Sequence, residues 1–212
     1  MEENLLKGAL KFKKEDFESH RELFKEIGRM QKPHTLFIGC SDSRVVPSLI
    51  TKTLPGELFV VRNIANIVPP YRESRDYFAT SSAIEYAVMV LEVENILVCG
   101  HSNCGGCNAL YYPEEKLQKT PLVAKWLEIV KEVKEEVISM GFSEDPAARE
   151  WLTEQLNVVK QLNNLLTYPF VKKRVEEGKL NLIGWHYIIE TGEVFNFNRE
   201  NGTFELIEED RQ

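Results

Sequence analysis

Short apolar runs that end in glycine and lead directly into metal-binding residue types constrain this chain more than any other feature. Residues 35–39 read Thr-Leu-Phe-Ile-Gly and run straight into Cys40; residues 95–100 read Asn-Ile-Leu-Val-Cys-Gly and run into His101. Runs of this length without polar alternation are read as strands buried on both faces. Residues 57–62 form another run, read the same way. Between it and the run at 95–100, Asp76 to about Leu91 carries Ile84, Ala87, Val88 and Leu91 at helical spacing. Strand, helix, strand with buried strands is the grammar of a parallel sheet in an α/β fold.

The rest of the chain fits around that unit. Residues 1–31 are charged, with Leu6, Leu10, Phe17, Leu23, Phe24 and Ile27 spaced for amphipathic helices, an N-terminal helical arm. Thr120 and Pro121 should cap and open a helix with Leu122, Trp126, Ile129, Val133 and Val137 on its apolar face, closed by Gly141. Asp145 and Pro146 should open another, with Leu152, Leu156, Val159 and Leu166 inward, as far as Tyr168 and Pro169. Residues 179–189 read as a strand. Turns at Thr191-Gly192 and Asn201-Gly202 then lead into residues 194–197 and 204–207, a C-terminal hairpin extension over about 190–212. With 212 residues and no long linker, the expectation is a single domain over 1–212.

Charge and composition exclude some partners. A net charge of −7 offers no electrostatic attraction to nucleic acid or an anionic membrane. No apolar run approaches the ~20 residues that span a bilayer, and the first residues lack a secretory pattern. The reading is a cytoplasmic protein whose four cysteines stay reduced unless they bind metal.

The chemistry sits in two strings: Cys40, Ser41, Asp42, Ser43, Arg44, and His101, Ser102, Asn103, Cys104. In open parallel sheets ligands bind beyond the carboxyl ends of the strands, so the two strings should converge there. Two thiolates and an imidazole are three ligands of a tetrahedral zinc site with one position open, the mark of a catalytic site. Such a site is nearly neutral and acidifies water less than a three-histidine site does. Asp42 is placed to accept a hydrogen bond from a metal-activated water, and Arg44 to hold that carboxylate ionised. Gly105 and Gly106 allow close backbone approach beside the ligands.

These strings, with the Gly-Gly pair after Cys104, resemble the β-class carbonic anhydrases. Residues 55–63, 84–87 and 164–171 resemble segments of the same family, and the likeness runs from about residue 28 to 190. The resemblance implies reversible hydration of carbon dioxide to bicarbonate and a proton, through a zinc-bound hydroxide. It also implies a four-stranded parallel core, and homodimers or dimers of dimers with sites at the dimer interface. Carried over residue by residue, Cys40, His101 and Cys104 hold one zinc per subunit, and Asp42 with Arg44 orients the nucleophile. Gln31 matches an amide that binds substrate oxygen, Phe59, Ile64 and Tyr86 an apolar pocket wall, and Gly105 a backbone donor. In a second branch of the family the aspartate closes onto zinc, with a tryptophan three residues before the first cysteine. This chain has Phe37 there, although Arg62 is present, so the resemblance is to the plant-like, open-site branch.

Two other functions use the same residues: a zinc hydrolase of a carbon dioxide analogue such as carbon disulfide, and a catalytically silent zinc module for assembly or bicarbonate sensing. The intact Asp42 and Arg44 argue against silence. Cys104 and Cys107 imitate a redox pair, but a zinc-bound Cys104 cannot cycle as a dithiol. Cys99, Cys107, His20, His34 and His186 read as packing or surface residues. Ser102 lacks the closing glycine of a hydrolase nucleophile turn, and no glycine-rich dinucleotide motif follows any strand.

Overall fold

The computed structural model describes residues 2–71, 78–142 and 144–208. Its centre is a six-stranded sheet in the order β2-β1-β3-β4-β5-β6. The strands are β1 (Thr35–Cys40), β2 (Leu58–Asn63), β3 (Asn95–His101), β4 (Asn181–Tyr187), β5 (Val194–Asn198) and β6 (Thr203–Leu206). The first four in that spatial order are parallel, and β5 and β6 add antiparallel to the β4 edge. The helices are α1 (Glu2–Lys14), α2 (Asp16–Ser19), α3 (Arg21–Ile27), α4 (Pro47–Thr51), α5 (Phe78–Glu85), α6 (Gly105–Ala109), α7 (Glu114–Gln118), α8 (Pro121–Leu127), α9 (Lys131–Ser139), α10 (Pro146–Leu165) and α11 (Pro169–Glu176). No helix among the described residues is long and apolar enough to cross a membrane.

β1 is buried at every position because it has a strand on each side and side chains on both faces. Leu36, Ile38, Ile96 and Val98 face a core closed by Ile84, Ala87 and Val88 from the α5 region and by Val158, Leu162 and Leu165 of α10. Phe37, Leu97 and Cys99 pack on the other face with Ile183, Trp185 and Tyr187. Residues 57–62, expected to be buried on both faces, instead form the edge strand β2, with Val60 and Arg62 exposed. An apolar run does not reveal whether its strand has one neighbour or two.

The helices hold further corrections. The start expected at Asp76 lies outside the described residues. From Phe78 the helix follows the anticipated face and ends in a π-helical turn, Tyr86–Val90. The single helix expected from Pro121 is two, α8 and α9, with a 3-10 turn at Glu128–Val130 between them. Leu122 is 84% exposed, and the Thr120 hydroxyl turns back to the Leu117 carbonyl instead of capping α8. Asp145 does cap α10, accepting from the amides of Ala147 and Ala148. The inward face of α10, however, is not the leucine-valine stripe. Leu152, Leu156, Val159 and Leu166 are half-buried, whereas Thr153, Glu154, Asn157, Gln161 and Asn164 are buried beside Val158, Leu162 and Leu165.

The reason is hydrogen bonding. Residues 65–71 run past α10 without a strand partner, and the helix supplies partners from its side chains. Asn157 donates to the Ala65 carbonyl, Gln161 accepts from the Val68 amide and Asn164 donates to the Val68 carbonyl. A buried backbone group must be paired, and these amides pair three of them.

Candidate metal centre

β1 and β3 are neighbours, yet the chain leaves β1 toward β2 on one side and leaves β3 toward β4 on the other. Open parallel sheets bind ligands at such a reversal, beyond the carboxyl ends of the strands. Cys40 is the last residue of β1 and His101 the last of β3. Cys104 comes from the turn after β3, which closes tightly because Asn103 adopts a left-handed conformation with φ 55°. Asparagine is among the non-glycine residues that tolerate this.

The ligand atoms of Cys40, His101 and Cys104 all lie within 4.8 Å of one another. The two sulfurs are 4.0 Å apart. Two thiolates on one tetrahedral zinc at about 2.3 Å each would sit about 3.8 Å apart, so the pair is already near metal-binding separation. His101 is fully buried, and its Nδ1–H donates to the Ser102 carbonyl at 2.9 Å. Its Nε2 is buried with no hydrogen-bond partner. An orphaned imidazole nitrogen aimed between two thiols is a donor set that fits zinc.

Electrostatics agree. A hydrogen bond with Cys104, reinforced by burial, pushes the Cys40 thiol up to about 12. The neighbouring Cys107 side chain, with burial, raises Cys104 well above an ordinary thiol. Burial pulls the His101 imidazole down, but the nearby Cys40 sulfur and the Ser102 carbonyl carry it above its usual value overall. Without a cation the site therefore holds protons, which a metal must displace to bind.

Asp42 lies next to this cluster in the grip of Arg44. The guanidinium donates from Nε to Oδ1 at 2.9 Å and from Nη2 to Oδ2 at 2.8 Å, and the Arg44 backbone N–H also reaches Oδ1. These bonds hold the Asp42 carboxyl well below the usual carboxylate range. Arg44 Nη2 also donates to the Asn103 carbonyl at 3.0 Å, joining the two strings. Arg62 donates to the carbonyls of Cys40 and Asp42 from the other side.

Ile64 follows β2 directly. With Val61, Phe78 and Trp126 it lines a cavity of about 580 Å³ that reaches Ser41. Trp126 Nε1 donates to the Ile64 carbonyl at 2.9 Å. Gly105 opens α6 immediately after Cys104, with open space where a side chain would be. Gly106 is closely approached by Ala65 and Ile64. The other pocket candidates are elsewhere. Phe59 pairs with Leu36, four positions before Cys40, and its ring lies against Tyr86 with centroids 5.9 Å apart. Tyr86 is half-exposed beside the open edge of β2, and Gln31 is exposed in the loop before β1.

Sequence reasoning missed three groups here. It noted Arg62 without its clamping role, since carbonyl acceptors leave no mark in a sequence. It passed over Glu190, whose carboxylate accepts from the Ser102 hydroxyl and the Asn103 side-chain amide. It also passed over Glu154, which accepts from the Cys104 amide. Glu154 left no signal, since Thr153, Gln155 and Asn157 around it are polar as well.

Known proteins resemble this chain in sequence and in fold. The carbonic anhydrase family profile matches residues 35–194. A carbonic anhydrase of Helicobacter pylori (strain J99) is 47% identical over 205 residues, spanning 95% of this chain and 93% of the relative. The solved structure of the β-carbonic anhydrase CcaA superposes with a TM-score of 0.92 at 38% identity, covering 98% of this chain and 92% of the other. One of two tetrameric β-carbonic anhydrases from the ascomycete Sordaria macrospora superposes with a TM-score of 0.82 at 29% identity, covering 92% and 96%. Family profile, sequence identity and superposition agree, and the chain belongs to the β-class carbonic anhydrase family of enzymes.

Proposed function

We propose that this enzyme hydrates carbon dioxide reversibly to bicarbonate and a proton, with one zinc held by Cys40, His101 and Cys104. The observation that carries the reading is the orphaned His101 Nε2 between two buried thiols, beside a carboxylate fixed by Arg44. When bound, zinc supplies Lewis acidity that lowers the pKa of a water at the open position. Asp42 Oδ2 has a lone pair left after the Arg44 bonds, and with it the carboxylate accepts a hydrogen bond from the attacking water. That bond turns the water's own lone pair toward the substrate. Arg44 keeps Asp42 ionised and keeps it from rotating toward the ligands, so the open position stays free for water. Ile64 provides apolar wall, which suits a substrate without a dipole, and the Gly105 amide offers a donor to product oxygen.

Gln31, Phe59 and Tyr86 belong, in this reading, to the pocket of a second copy. In their own chain Phe59 lies opposite Leu36, four positions back from Cys40, with Tyr86 against its ring, and Gln31 precedes the start of β1, whose far end carries Cys40. Exposed Val60 on β2, with the exposed Tyr86 packed on Phe59, gives the β2 edge apolar surface for a partner to cover. The tetrameric Sordaria relative supports such an assembly.

Stopped-flow hydration with purified, zinc-loaded protein tests the reading. Asp42→Asn should lower kcat/KM by about 10²-fold or more, the range for a positioned acid–base group, and Cys40→Ala should abolish activity and zinc retention. A wild-type rate no better than that of Cys40→Ala would refute it.

A further inference from the structure

The buried polar face of α10 includes one group that the proposed chemistry leaves unused. Glu154 is 2% exposed and lies where Gly100 of β3 and His186 of β4 are register partners. The helix can come this close because neither sheet position nearest it carries a side chain. Val158 fills the space at Gly100, and Val158 with Leu162 fills it at Gly184. Glu154 Oε1 accepts the Cys104 backbone N–H at 2.8 Å, and Oε2 lies 3.0 Å from His186 Nε2. His186 is fully buried, and its Nδ1 has no hydrogen-bond partner among the described residues. A proton on Nδ1 would be buried without an acceptor, so the ring proton sits on Nε2 and donates to Glu154. The Trp151 ring stands edge-on to the imidazole at 4.9 Å, and Phe204 of the C-terminal hairpin approaches to 6.4 Å.

We propose that Glu154 is a positioning residue of the metal centre: it fixes the backbone of Cys104, and so its sulfur, while His186 fixes Glu154. The inference rests on the reading of Cys40, His101 and Cys104 as zinc ligands. Burying a carboxylate is costly unless both oxygens are satisfied. Both are satisfied here, and one of the two donors is the amide of a ligand residue. Cys104 sits just ahead of α6, so its N–H has no helical carbonyl to reach. Holding that N–H sets the peptide plane before Cys104, and with it the Cα–Cβ direction that places Sγ opposite Cys40 and His101. Glu190 grips the same turn from outside, but it is exposed and binds side chains, not the ligand's backbone. A helix-to-sheet contact for stability alone needs no carboxylate, since Val158 and Leu162 make one on the same face of α10.

The test compares wild type with Glu154→Gln, His186→Leu, His186→Gln and Leu162→Ala. The readouts are the absorption spectrum of the cobalt-loaded protein and the rate of zinc loss to excess chelator. In Glu154→Gln one amide hydrogen faces His186 Nε2–H, donor against donor, so the side chain must turn away and release Cys104. This variant and His186→Leu should shift the cobalt bands and speed zinc loss about 10–100-fold, the usual effect of losing a group that orients a ligand. His186→Gln, whose amide can donate to Glu154, should restore most of both. Leu162→Ala should lower Tm yet leave spectrum and zinc loss as in wild type. Coincident spectra and loss rates for Glu154→Gln and Leu162→Ala would overturn the proposal. If Glu154→Gln does not fold, identical behaviour of His186→Leu and His186→Gln would overturn it equally. Wild type that takes up neither metal would instead overturn the zinc reading beneath it.

Discussion

Arg44 makes four hydrogen bonds at the centre, three to Asp42 and one to the Asn103 carbonyl. It therefore sets both the charge of Asp42 and the join between the two strings. The sign of its effect on stability follows from the lowered Asp42 pKa. A carboxylate whose folded pKa lies below its unfolded value of about 3.9 stabilises the fold above that pH and stops doing so as pH falls through the folded value. Arg44→Ala should therefore be less stable than wild type near neutrality, with the gap closing below about pH 4. Urea unfolding of the chelator-treated proteins from pH 7 to pH 3 would measure it, and a constant gap would contradict the ion-pair account. Gly106 makes a second residue-scale case. A Cβ there would meet Ala65 Cβ at 2.8 Å and Ile64 Cγ2 at 2.9 Å. Gly106→Ala should cost about 1–3 kcal/mol of stability by overpacking. It should also reduce hydration activity, because the atoms that must move belong to the pocket wall.

At the scale of elements, α10 links the two halves of the site. Its Glu154 reaches the turn that carries Cys104, and its Asn157, Gln161 and Asn164 hold residues 65–68, just after Ile64. The ladder works only at the separation that Gly100 and Gly184 permit. Gly100→Ala would put a methyl 2.7 Å from Val158 Cγ2 and 3.5 Å from the Glu154 carbonyl oxygen. It should lift α10 off β3, lower stability by about 1–3 kcal/mol and speed zinc loss. Thermal denaturation and chelator challenge together check both parts. Periodicity did place α10, and Asp145 and Pro146 marked its start correctly. It misjudged the inward face because it scores apolar burial and is blind to the partners that residues 65–71 require. Glu154 escaped notice, and His186 was read only as a packing or surface residue, for the same reason, since thirty-two residues separate them and only the packing of α10 on β4 brings them together.

For the whole molecule, the decisive relation is between the open β2 edge and the scattered pocket candidates. If Gln31, Phe59 and Tyr86 complete the site of a second copy, the protein in solution should have at least twice the mass of the 24.5 kDa chain. Light scattering after gel filtration measures that directly. A complementation experiment asks the sharper question. Cys40→Ala and Tyr86→Asp should each be inactive alone, whereas a refolded equal mixture should regain about a quarter of wild-type sites, as expected for random isologous pairing. No recovery would assign Tyr86 to its own chain's site, and an active Tyr86→Asp would place it outside the pocket altogether.

By itself the sequence determined the strands, the α/β class, the ends at which Cys40 and His101 stand, and the donor set. Each of these is local: burial shows as an apolar run, turns as glycine and asparagine, and zinc chemistry as residue type. Which strand lies at the edge, which face of α10 turns inward, and which carboxylate stands behind Cys104 were decided only by the tertiary structure. Each of those depends on hydrogen-bond partners distant along the chain, and a linear pattern records a residue's own polarity but not the group it will meet.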